Sequence, residues 1–480
     1  MWRVELPRLE LLTRDHLQTI HEATIEILET RGVKFQHEQA LEHLRRAGAE
    51  IDSQTGIVKI SRGIVESSVR KAPAEFVWLA RDPKHSLRVG GEACWTVPGY
   101  GCNYILDLEG NRRLGTIKDV CDLTKLVDFL PYIDAGGGLL VEPSDLAPGA
   151  AFALTLFEML RNTDKCVMGY TLGRDVAHDS IRLASILAGG EEQLSKNPLI
   201  IGLINPKSPL EYDSKMIEGL IEYSKHSLPV MIASLVMSGA TGPVTLAGSL
   251  VQHNAEVLSG VVLSQSVHPG TPNIYGSASC IIDMRTGIPS IGSPEAAMFQ
   301  AVVAQLARYY GLPSRGSSLS SDSKLPDAQS GYEKAIGAVL GRLSGLNLNT
   351  WAGVIEYYMA ISPVQLVIDS EVWGAVSRIE KGINFSPVSI AVDVIKEGAS
   401  KGDFLGHKHT LENLQREQWF PSLSDRRNYS NWKSAGGHEA SRRAIDLARK
   451  VLSAHRPSPL PADVEKELAI AVQKIEKSTV

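Results

Sequence analysis

Apolar and polar positions between residues 116 and 400 predict helices and strands in regular succession. Segments with apolar side chains three and four residues apart, typical of amphipathic helices, are each followed by a short apolar run. Seven such runs predict buried strands, at residues 135–141, 165–169, 199–205, 229–233, 273–276, 315–318 and 347–351. Buried strands separated by helices indicate a parallel sheet with crossover connections, and hence the α/β class.

The number of these units favours a closed sheet over an open one. Seven or eight strand–helix units over this length are typical of a (β/α)8 TIM barrel. An open nucleotide-binding sheet would carry a glycine-rich phosphate loop after an early strand, and the sequence contains neither GxGxxG nor GxxxxGK[ST]. The glycines at 136–138 are only a weak match to such a phosphate loop, so we expect a TIM barrel.

Mainly helical extensions are predicted on both sides of this barrel. Residues 1–115 are expected to form helices and a β-hairpin whose tip is Gly110-Asn111. Residues 116–400 are assigned to the TIM barrel catalytic domain. Residues 401–480 are assigned to a C-terminal helical extension, so the 480 residues form one barrel with two additions.

Charge and cysteine content narrow the classes of partner and compartment. Lys plus Arg is 49 and Asp plus Glu is 54, so a net charge of −5 gives no global attraction for nucleic acid or an anionic membrane. No apolar stretch approaches the length of a membrane span, and no secretory signal is recognisable. The 5 cysteines are scattered without a CxxC pair, which indicates a reducing cytoplasm and no local zinc site.

Aromatic residues lie near the predicted carboxyl ends of the strands, where barrel enzymes place their sites. Few cations accompany them, and ring faces without competing positive charge suit a quaternary ammonium ligand through cation–π attraction. Ordinary packing is the alternative role for any one ring. The candidate rings are Tyr100, Tyr104, Tyr170, Tyr275, Trp351 and Tyr357.

Polar candidates follow the same strands, but no catalytic triad or carboxylate pair is visible, so no catalytic residue is assigned. Segment 317–329 is rich in serine and contains Lys324, which would need desolvation at a strand end to form a Schiff base. A salt bridge to a neighbouring aspartate is the alternative for this lysine. The polar candidates for substrate binding are Asn205, Arg315, Ser320, Asp322, Lys324, Gln329 and Glu356.

Long ordered segments of the chain resemble the trimethylamine methyltransferase superfamily. They include SGATGPVTLAGSLVQHNAEVLSGVVLSQ at 238–265, then PNIYGS, DMRTG, SDSKLPDAQSGYEKA and FLGHKHTLENLQREQWFPSLSDRRNYSNW. Founding members carry pyrrolysine in the loop that segment 317–329 resembles, whereas this chain has only standard residues there. It therefore looks like the quaternary amine:corrinoid methyltransferases, for which glycine betaine is the best-known substrate.

The resemblance implies methyl transfer from a quaternary amine to the Co(I) of a corrinoid protein. Glycine betaine would give dimethylglycine, and proline betaine, carnitine and γ-butyrobetaine are alternative substrates. The corrinoid (cobalamin) would be supplied by a partner protein, since the chain has no DxHxxG-type motif and is expected to bind no cofactor permanently. The chain is also expected to be a homo-oligomer.

This reaction leaves the chain to hold the cation, align one C–N bond and exclude water. Arg315, Lys207 and the amides of 317–323 are candidate anchors for a substrate carboxylate. The basic, aromatic stretch 416–432 is expected either to contribute to the corrinoid-protein interface or to pack on the barrel. Two other functions remain open: a Schiff-base lyase or aldolase using Lys324, and a non-catalytic betaine-binding protein.

Overall fold

Parallel strands form the centre of the computed structural model, which describes residues 8–147 and 151–478. Each strand is short and buried, as expected where helices cover a parallel sheet. Seven strands are hydrogen-bonded side by side in the order Trp95–Pro98, Leu348–Ala352, Ser314–Gly316, Asn273–Ser277, Val230–Ser234, Ile200–Ile204 and Val167–Met168.

Residues 134–137 close this sheet into a ring. The N–H of Asp134 donates to the carbonyl of Thr96 at 2.9 Å, on the first strand of the barrel. On the other side Gly137 forms a parallel bridge with Val167, and the N–H of Met168 donates to the Gly137 carbonyl at 2.8 Å. The predicted eight-membered TIM barrel is thereby confirmed.

The first barrel strand, Trp95–Pro98, was not among the predicted strands. It has four residues and ends at a proline, so it lacks the apolar run that marks the other strands. The barrel thus begins ahead of residue 116, and its last helix, Pro363–Glu380, ends ahead of residue 400. The three-part division of the chain stays a prediction.

The amino ends of the strands are covered by a hairpin of Glu75–Trp78 and Leu87–Gly90. Trp78 Nε1 donates to the carbonyl of Leu199, the residue before a barrel strand, at 3.2 Å. An apolar cluster inside the barrel joins this hairpin to the strands through Trp78, Leu87, Val89, Val97, Met168, Ile201, Met231, Ile274 and Leu348. One end of the barrel is therefore packed shut.

Helices surround the sheet, and a second, larger apolar core lies between the two layers. Side-chain caps and prolines start several of them; Ser293 accepts from the N–H of Ala296 and precedes Pro294, a favoured first helical residue. The helices between or after the barrel strands are Ile117–Phe129, Ala151–Asn162, Arg174–Ala188, Glu191–Lys196, Ser214–Lys225, Leu246–Val267, Pro294–Tyr310, Ala328–Leu343 and Pro363–Glu380.

The N-terminal extension packs three helices, Arg14–Thr30, Glu38–Arg46 and Arg62–Lys71, and a short 3-10 turn, Pro83–His85, lies in the hairpin. A small sheet joins strands Val33–Phe35, Glu50–Asp52 and Ile57–Lys59 to Glu211–Tyr212 of the barrel. The C-terminal part adds six helices: Pro387–Ile390, Val392–Lys401, Lys408–Glu417, Tyr429–Ser434, Ala440–Ala454 and Ala462–Ser478.

Part of the stretch 416–432 packs on the barrel, one of the two roles considered for it. Trp419 Nε1 donates to Tyr132 Oη at 3.2 Å. Glu371, on the last barrel helix, accepts from the N–H groups of Ser422 and Ser424 at 3.0 and 2.8 Å. In the described ranges, no helix is both long and apolar enough to cross a membrane.

Strand pairs in the loops after the barrel strands stand around the open end. Tyr104–Leu106 and Arg112–Leu114, after the first strand, join Val354–Ile355 and Ala360–Ile361, after the last. Met237–Ser238 pairs with the hairpin of Cys280–Asp283 and Ile288–Ser290. We call this open end, at the carboxyl ends of the strands, the mouth.

Candidate active site

Three predicted site residues meet inside the mouth. The guanidinium carbon of Arg315 lies 5.5 Å from the ring centroid of Tyr100 and 5.5 Å from that of Trp351. Arg315 pairs in the sheet with Gly276 and Leu348, and Leu348 belongs to the barrel interior, so the arginine side chain points inward. A cation held between two ring faces therefore forms the centre of the mouth.

Arg315 is a buried charge without an acidic partner. The residue is 1% exposed, and one guanidinium nitrogen, Nη1, donates to the carbonyl of Ser277. Its Nε is buried and has no hydrogen-bond partner in residues 8–147 and 151–478, nor is any carboxylate there within 4.0 Å of it. Burying an unpaired charge is unfavourable, so this guanidinium is suited to receive an anionic group from a ligand.

Trp351 is brought to Arg315 by an irregular strand end. Its φ of 81° is in the left-handed region, which a tryptophan seldom adopts, and the pairing with the first strand shifts register between Asn349 and Ala352. The Trp351 ring is buried, its centroid lies 6.0 Å from that of Tyr358, and its Nε1 has no partner within the described residues. A strained backbone here directs the ring toward the mouth.

A fully buried ion pair lies directly behind this strand end. Lys334 Nζ is 2.7 Å from Asp369 Oδ2 and 2.7 Å from the carbonyl oxygen of Leu319, and it lies 3.4 Å from the carbonyl oxygen of Trp351. Asp369 Oδ2 also accepts from the N–H of Gly353 at 2.6 Å. Burial lowers the pKa of Lys334 and raises that of Asp369, while each partner opposes the shift of the other.

Sequence reasoning did not identify Lys334 and Asp369 as site residues. Each is a single charged residue in an otherwise largely apolar helical stretch, in YEKAIGAVL and VQLVIDSEVW. The two residues lie on buried faces of two helices that follow neighbouring strands. Such positions could have indicated an ion pair, because buried charges require partners.

The polar segment after the seventh strand is occupied by its own hydrogen bonds. Ser320 Oγ donates to the carbonyl of Ser317 at 2.6 Å. Asp322 Oδ1 accepts from the N–H of Ile291 at 2.9 Å, and Gln329 Nε2 donates to Glu333 Oε1 at 2.9 Å. These predicted substrate-binding side chains are thus bonded to other protein groups and fix the conformation of the loop.

A second aromatic cluster lies at the edge of the mouth and is already occupied by protein cations. The guanidinium of Arg112 stands 3.5 Å above the Tyr104 ring and forms a paired hydrogen bond with Glu356 at 2.8 and 3.1 Å. Lys324 Nζ lies 5.9 Å from the Tyr357 ring centroid, and its side chain is exposed. Tyr104 and Tyr357 therefore already face protein cations, and Tyr357 is joined to Trp351 through Tyr358, whose ring centroid lies 6.2 Å from that of Tyr357.

The two remaining candidates, Asn205 and Tyr170, have different surroundings. Asn205 lies two residues after the interior Leu203, and its Nδ2 donates to the carbonyl of Ala233 at 2.7 Å, inside the mouth. Tyr170 also follows a barrel strand; its ring packs edge-on against Phe152, with centroids 6.0 Å apart, and its buried Oη lacks a partner in the described part of the chain.

The placement of Tyr275 at the mouth is wrong. Its ring is fully buried in the core between sheet and helices, 5.4 Å from the ring of His253, and its Oη donates to Asn254 Oδ1 at 2.8 Å. Successive residues of a strand point to opposite faces, and Ile274 and Gly276 take the interior face. Tyr275 therefore stabilises the fold from outside the barrel.

The described residues at the mouth include no cluster of metal-binding side chains and no cysteine whose pKa is lowered. Within the described ranges, no three His, Cys, Asp or Glu side chains are placed to hold a metal ion together. Burial raises the pKa of Cys94 to about 11 and that of Cys102 and Cys280 to about 12, so these thiols stay protonated near neutral pH. The arrangement suits binding and orientation of a ligand.

A family model described as trimethylamine methyltransferase (MTTB) matches residues 2–479. The chain belongs to the MTTB family. This MTTB chain is 41% identical over 465 residues to the glycine betaine methyltransferase of Desulfitobacterium hafniense strain Y51, with 96% of each chain covered. It is 34% identical over 476 residues to a trimethylamine methyltransferase of Methanosarcina barkeri, covering 98% of this chain and 96% of that one.

Solved structures support the fold of this MTTB chain. The crystal structure of the monomethylamine methyltransferase of Methanosarcina barkeri aligns with a TM-score of 0.50 at 14% identity, covering 94% of this chain and 95% of that one. At this identity the likeness concerns the barrel fold alone. The resemblance inferred from the sequence motifs is thus confirmed at the level of family and fold.

Proposed function

We propose that this MTTB chain transfers a methyl group from glycine betaine to the Co(I) of a corrinoid bound to a separate protein, giving dimethylglycine. The observation that carries the proposal is Arg315, a buried guanidinium in the mouth without an acidic partner among the described residues. Glycine betaine carries a carboxylate and a quaternary ammonium group, and the mouth offers a complementary group for each.

Arg315 would bind the carboxylate end of the substrate. A guanidinium and a carboxylate form strong charge-assisted hydrogen bonds, and Nε is unoccupied by protein groups in the described residues. Binding would also relieve the cost of burying this cation unpaired. An amine without a carboxylate, such as trimethylamine, gains nothing from Arg315.

The ring faces of Tyr100 and Trp351 would border the ammonium end. Cation–π attraction holds a quaternary nitrogen without hydrogen bonds, which that nitrogen cannot form. The positive charge disappears as the methyl group leaves, so a tight grip would stabilise the substrate more than the transition state. Two rings that Arg315 already contacts provide only a moderate hold.

The corrinoid supplies the nucleophile, and the electrons of the broken C–N bond remain on a neutral tertiary amine. No proton has to be moved in this step, so the mouth needs no general acid or base. The chain would contribute position: Arg315 would fix one end of the substrate, and the hydrogen-bonded serine-rich loop would limit its movement. Closure by the incoming protein would exclude water.

The rim of the mouth suits docking of that corrinoid protein. Apolar side chains that are more than half exposed come from loops after five different barrel strands, and these loops all lie at the carboxyl ends of the strands. We propose that these residues contact the incoming corrinoid protein. They are Leu114, Leu172, Val244, Met284 and Leu325.

The glycine betaine methyltransferase relative supports this substrate, because it is 41% identical over 96% of the chain. A Schiff-base reaction is disfavoured, since Lys324 is exposed and its Nζ donates to the carbonyl of Asp322 at 2.8 Å rather than lying in an apolar pocket. Borohydride treatment in the presence of substrate should leave Lys324 unmodified.

A substrate panel tests the proposal. Purified protein, a Co(I) corrinoid protein and one amine at a time are mixed, with formation of methyl-Co(III) followed by absorbance and the amine product by mass spectrometry. We expect turnover with glycine betaine and none with trimethylamine or choline, which lack the carboxylate. If proline betaine, carnitine or γ-butyrobetaine is turned over and glycine betaine is not, that compound is the substrate instead. Binding without any turnover would establish a betaine-binding protein.

A further inference from the structure

Glu256, on helix Leu246–Val267, is a fully buried carboxylate whose hydrogen-bond partners in the described residues are all uncharged. Burying a carboxylate is unfavourable unless donors replace the water it loses. Four donors do so here: the N–H of Leu210 at 3.0 Å, Gln252 Nε2 at 2.9 Å, Ser208 Oγ at 2.7 Å, and Ser234 Oγ.

Three of these donors come from two neighbouring strand ends at the mouth. Ser208 and Leu210 belong to the loop after strand Ile200–Ile204, and Ser234 ends the strand beside it. Leu210 has a φ of 56°, in the left-handed region that favours glycine, and its N–H bonds to the carboxylate. Glu256 therefore holds a strained turn of one loop against the end of the neighbouring strand.

Asn205, at the start of the same loop, is level with Arg315 inside the barrel. The register places Ala233 beside Gly276 and Gly276 beside Arg315, and the residue before Asn205 pairs with the residue before Ala233. These positions face the interior, as do the residues two places earlier on three of the strands. Only a methyl group and a hydrogen atom lie between them, so a gap separates the Asn205 amide from the Arg315 guanidinium.

The amide of Asn205 is held in one orientation. Its Nδ2 donates to the carbonyl of Ala233 at 2.7 Å, so its Oδ1 is directed away from that carbonyl. Oδ1 accepts no hydrogen bond from residues 8–147 and 151–478, and Asn205 is only half-buried. An amide oxygen with partial negative charge attracts the methyl hydrogens of a quaternary ammonium group, which carry much of its positive charge.

We propose that Glu256 is a positioning residue for methyl transfer, because it holds Asn205 where Oδ1 faces the ammonium end of the bound betaine. The carboxylate end lies on Arg315, across the gap, and a single CH2 group separates the two ends of glycine betaine. Glu256 acts from both sides: it fixes the loop that carries Asn205, and through Ser234 it fixes the strand whose Ala233 carbonyl holds the amide. This inference rests on the proposed function.

A double-mutant cycle separates positioning from a purely structural role. Asn205→Ala should raise the Kd and KM of glycine betaine roughly 2- to 5-fold, as expected for loss of a C–H···O contact, and leave kcat largely unchanged. Glu256→Met, which removes the acceptors at similar length, should raise both constants to the same extent. Adding Glu256→Met to Asn205→Ala should weaken binding no further, because both changes act on one contact.

The conservative variant Glu256→Gln should restore binding. Its amide oxygen still accepts from Leu210 and Gln252, and its NH2 group donates to the hydroxyl oxygens of Ser208 and Ser234. A positioning role therefore predicts that Glu256→Gln has nearly the Kd of the unmodified protein.

The matched control is Glu371→Met, which removes another buried carboxylate with uncharged donors, on the last barrel helix and outside the mouth. Glu371 accepts from the N–H groups of Ser422, Leu423 and Ser424 and from Ser422 Oγ. Its loss should lower stability in urea and leave the Kd of glycine betaine unchanged.

Hydrogen–deuterium exchange tests the hold on the loop without any substrate. Backbone amides of residues 207–211 should exchange roughly 10-fold faster in Glu256→Met than in the unmodified protein, and at nearly the unmodified rate in Glu256→Gln. Ser208→Ala removes one of the four bonds, so it should shift exchange and Kd in the same direction by less. It replaces Glu256→Met in the comparison if that variant does not fold.

The proposal is overturned if the effects of Asn205→Ala and Glu256→Met multiply, if Glu256→Gln does not restore binding, or if Glu371→Met raises the Kd as much as Glu256→Met does. Unchanged exchange in Glu256→Met overturns the role of Glu256 alone. If no quaternary amine binds the unmodified protein, the role of Asn205 is overturned together with the proposed function, and the exchange result shows which of the two failed. If the substrate panel identifies another betaine, the cycle is measured with that compound.

Discussion

Lys334 Nζ and Asp369 Oδ2 lie 2.7 Å apart with both side chains fully buried behind the mouth. Through this pair the helix after the seventh strand and the helix after the eighth strand are joined. The pair also holds the carbonyl of Leu319 and the N–H of Gly353, which belong to the two loops that border the Arg315 cluster. Its location indicates a role in positioning the mouth.

Removing one member of this pair should destabilise the protein strongly. Lys334→Met leaves Asp369 buried and unpaired, which typically costs about 3–5 kcal/mol of unfolding free energy. Replacing both residues, Lys334→Met with Asp369→Leu, should recover much of that loss, because no buried charge remains. Urea denaturation measures both changes.

The same two variants separate stability from positioning. Methyl transfer by the double variant should stay well below that of the unmodified protein, mainly through kcat, because nothing then holds the Leu319 carbonyl and the Gly353 N–H. A double variant that regains full activity along with stability would show that the ion pair contributes to stability only and does not position the mouth.

Arg315 should determine preference for substrates with a carboxylate. Arg315→Met should lower kcat/KM for glycine betaine by roughly 10- to 100-fold, since a hydrogen bond to a charged group contributes about 1.5–3 kcal/mol. Lys324→Met, which removes an exposed lysine outside the Arg315 cluster, is the control and should keep at least half of the activity. An unchanged KM for glycine betaine in Arg315→Met would place the carboxylate elsewhere.

Substitutions at Trp351 and Tyr275 should affect different properties, ligand binding for Trp351 and stability for Tyr275. Trp351→Leu should weaken glycine betaine binding by roughly 2- to 30-fold, the range expected for a cation–π contact of about 0.5–2 kcal/mol. Tyr275→Phe should leave binding unchanged and lower the unfolding free energy by about 1 kcal/mol, because it loses the hydrogen bond to Asn254. Isothermal titration and denaturation measure the two quantities, and the reverse pattern would contradict this assignment.

The barrel could be predicted because apolar runs and helical periodicity are local properties of the sequence. The strand Trp95–Pro98 was not predicted, because a four-residue strand ending in proline has no such run. The site was harder to predict. A strand buried on both faces does not reveal by periodicity which residues point into the barrel, so Tyr275 and Arg315 were equally plausible candidates.

Side-chain hydrogen bonds were a second limit on predicting the site. The serine-rich segment looked like a ligand-binding loop, yet Ser320 and Asp322 bond to neighbouring parts of the chain. The long-range pairing of Lys334 with Asp369 depends on how two helices pack. Neither relationship is encoded in the spacing of residues along the chain.

A buried carboxyl at the seam of the barrel should give the protein a measurable pH dependence. Asp134 Oδ2 accepts from the N–H of Thr96 at 2.7 Å, where the first strand meets residues 134–137, and burial raises the pKa of Asp134 to about 6. An unfolded aspartate ionises near pH 4, so between about pH 4 and pH 6 folding takes up a proton and stability falls as the pH rises. Above pH 6 the full cost of the buried charge persists.

Asp134→Asn removes this titration while keeping an oxygen that accepts from Thr96. We expect the variant to exceed the unmodified protein in unfolding free energy by up to about 3 kcal/mol at pH 8, and by about half of that at pH 5. Asp446→Asn, at an exposed helix position, is the matched control and should show no such widening between the two pH values. Urea denaturation at both pH values gives the difference directly, and a gap that does not widen from pH 5 to pH 8 would mean that Asp134 ionises in the folded protein as it does in the unfolded chain.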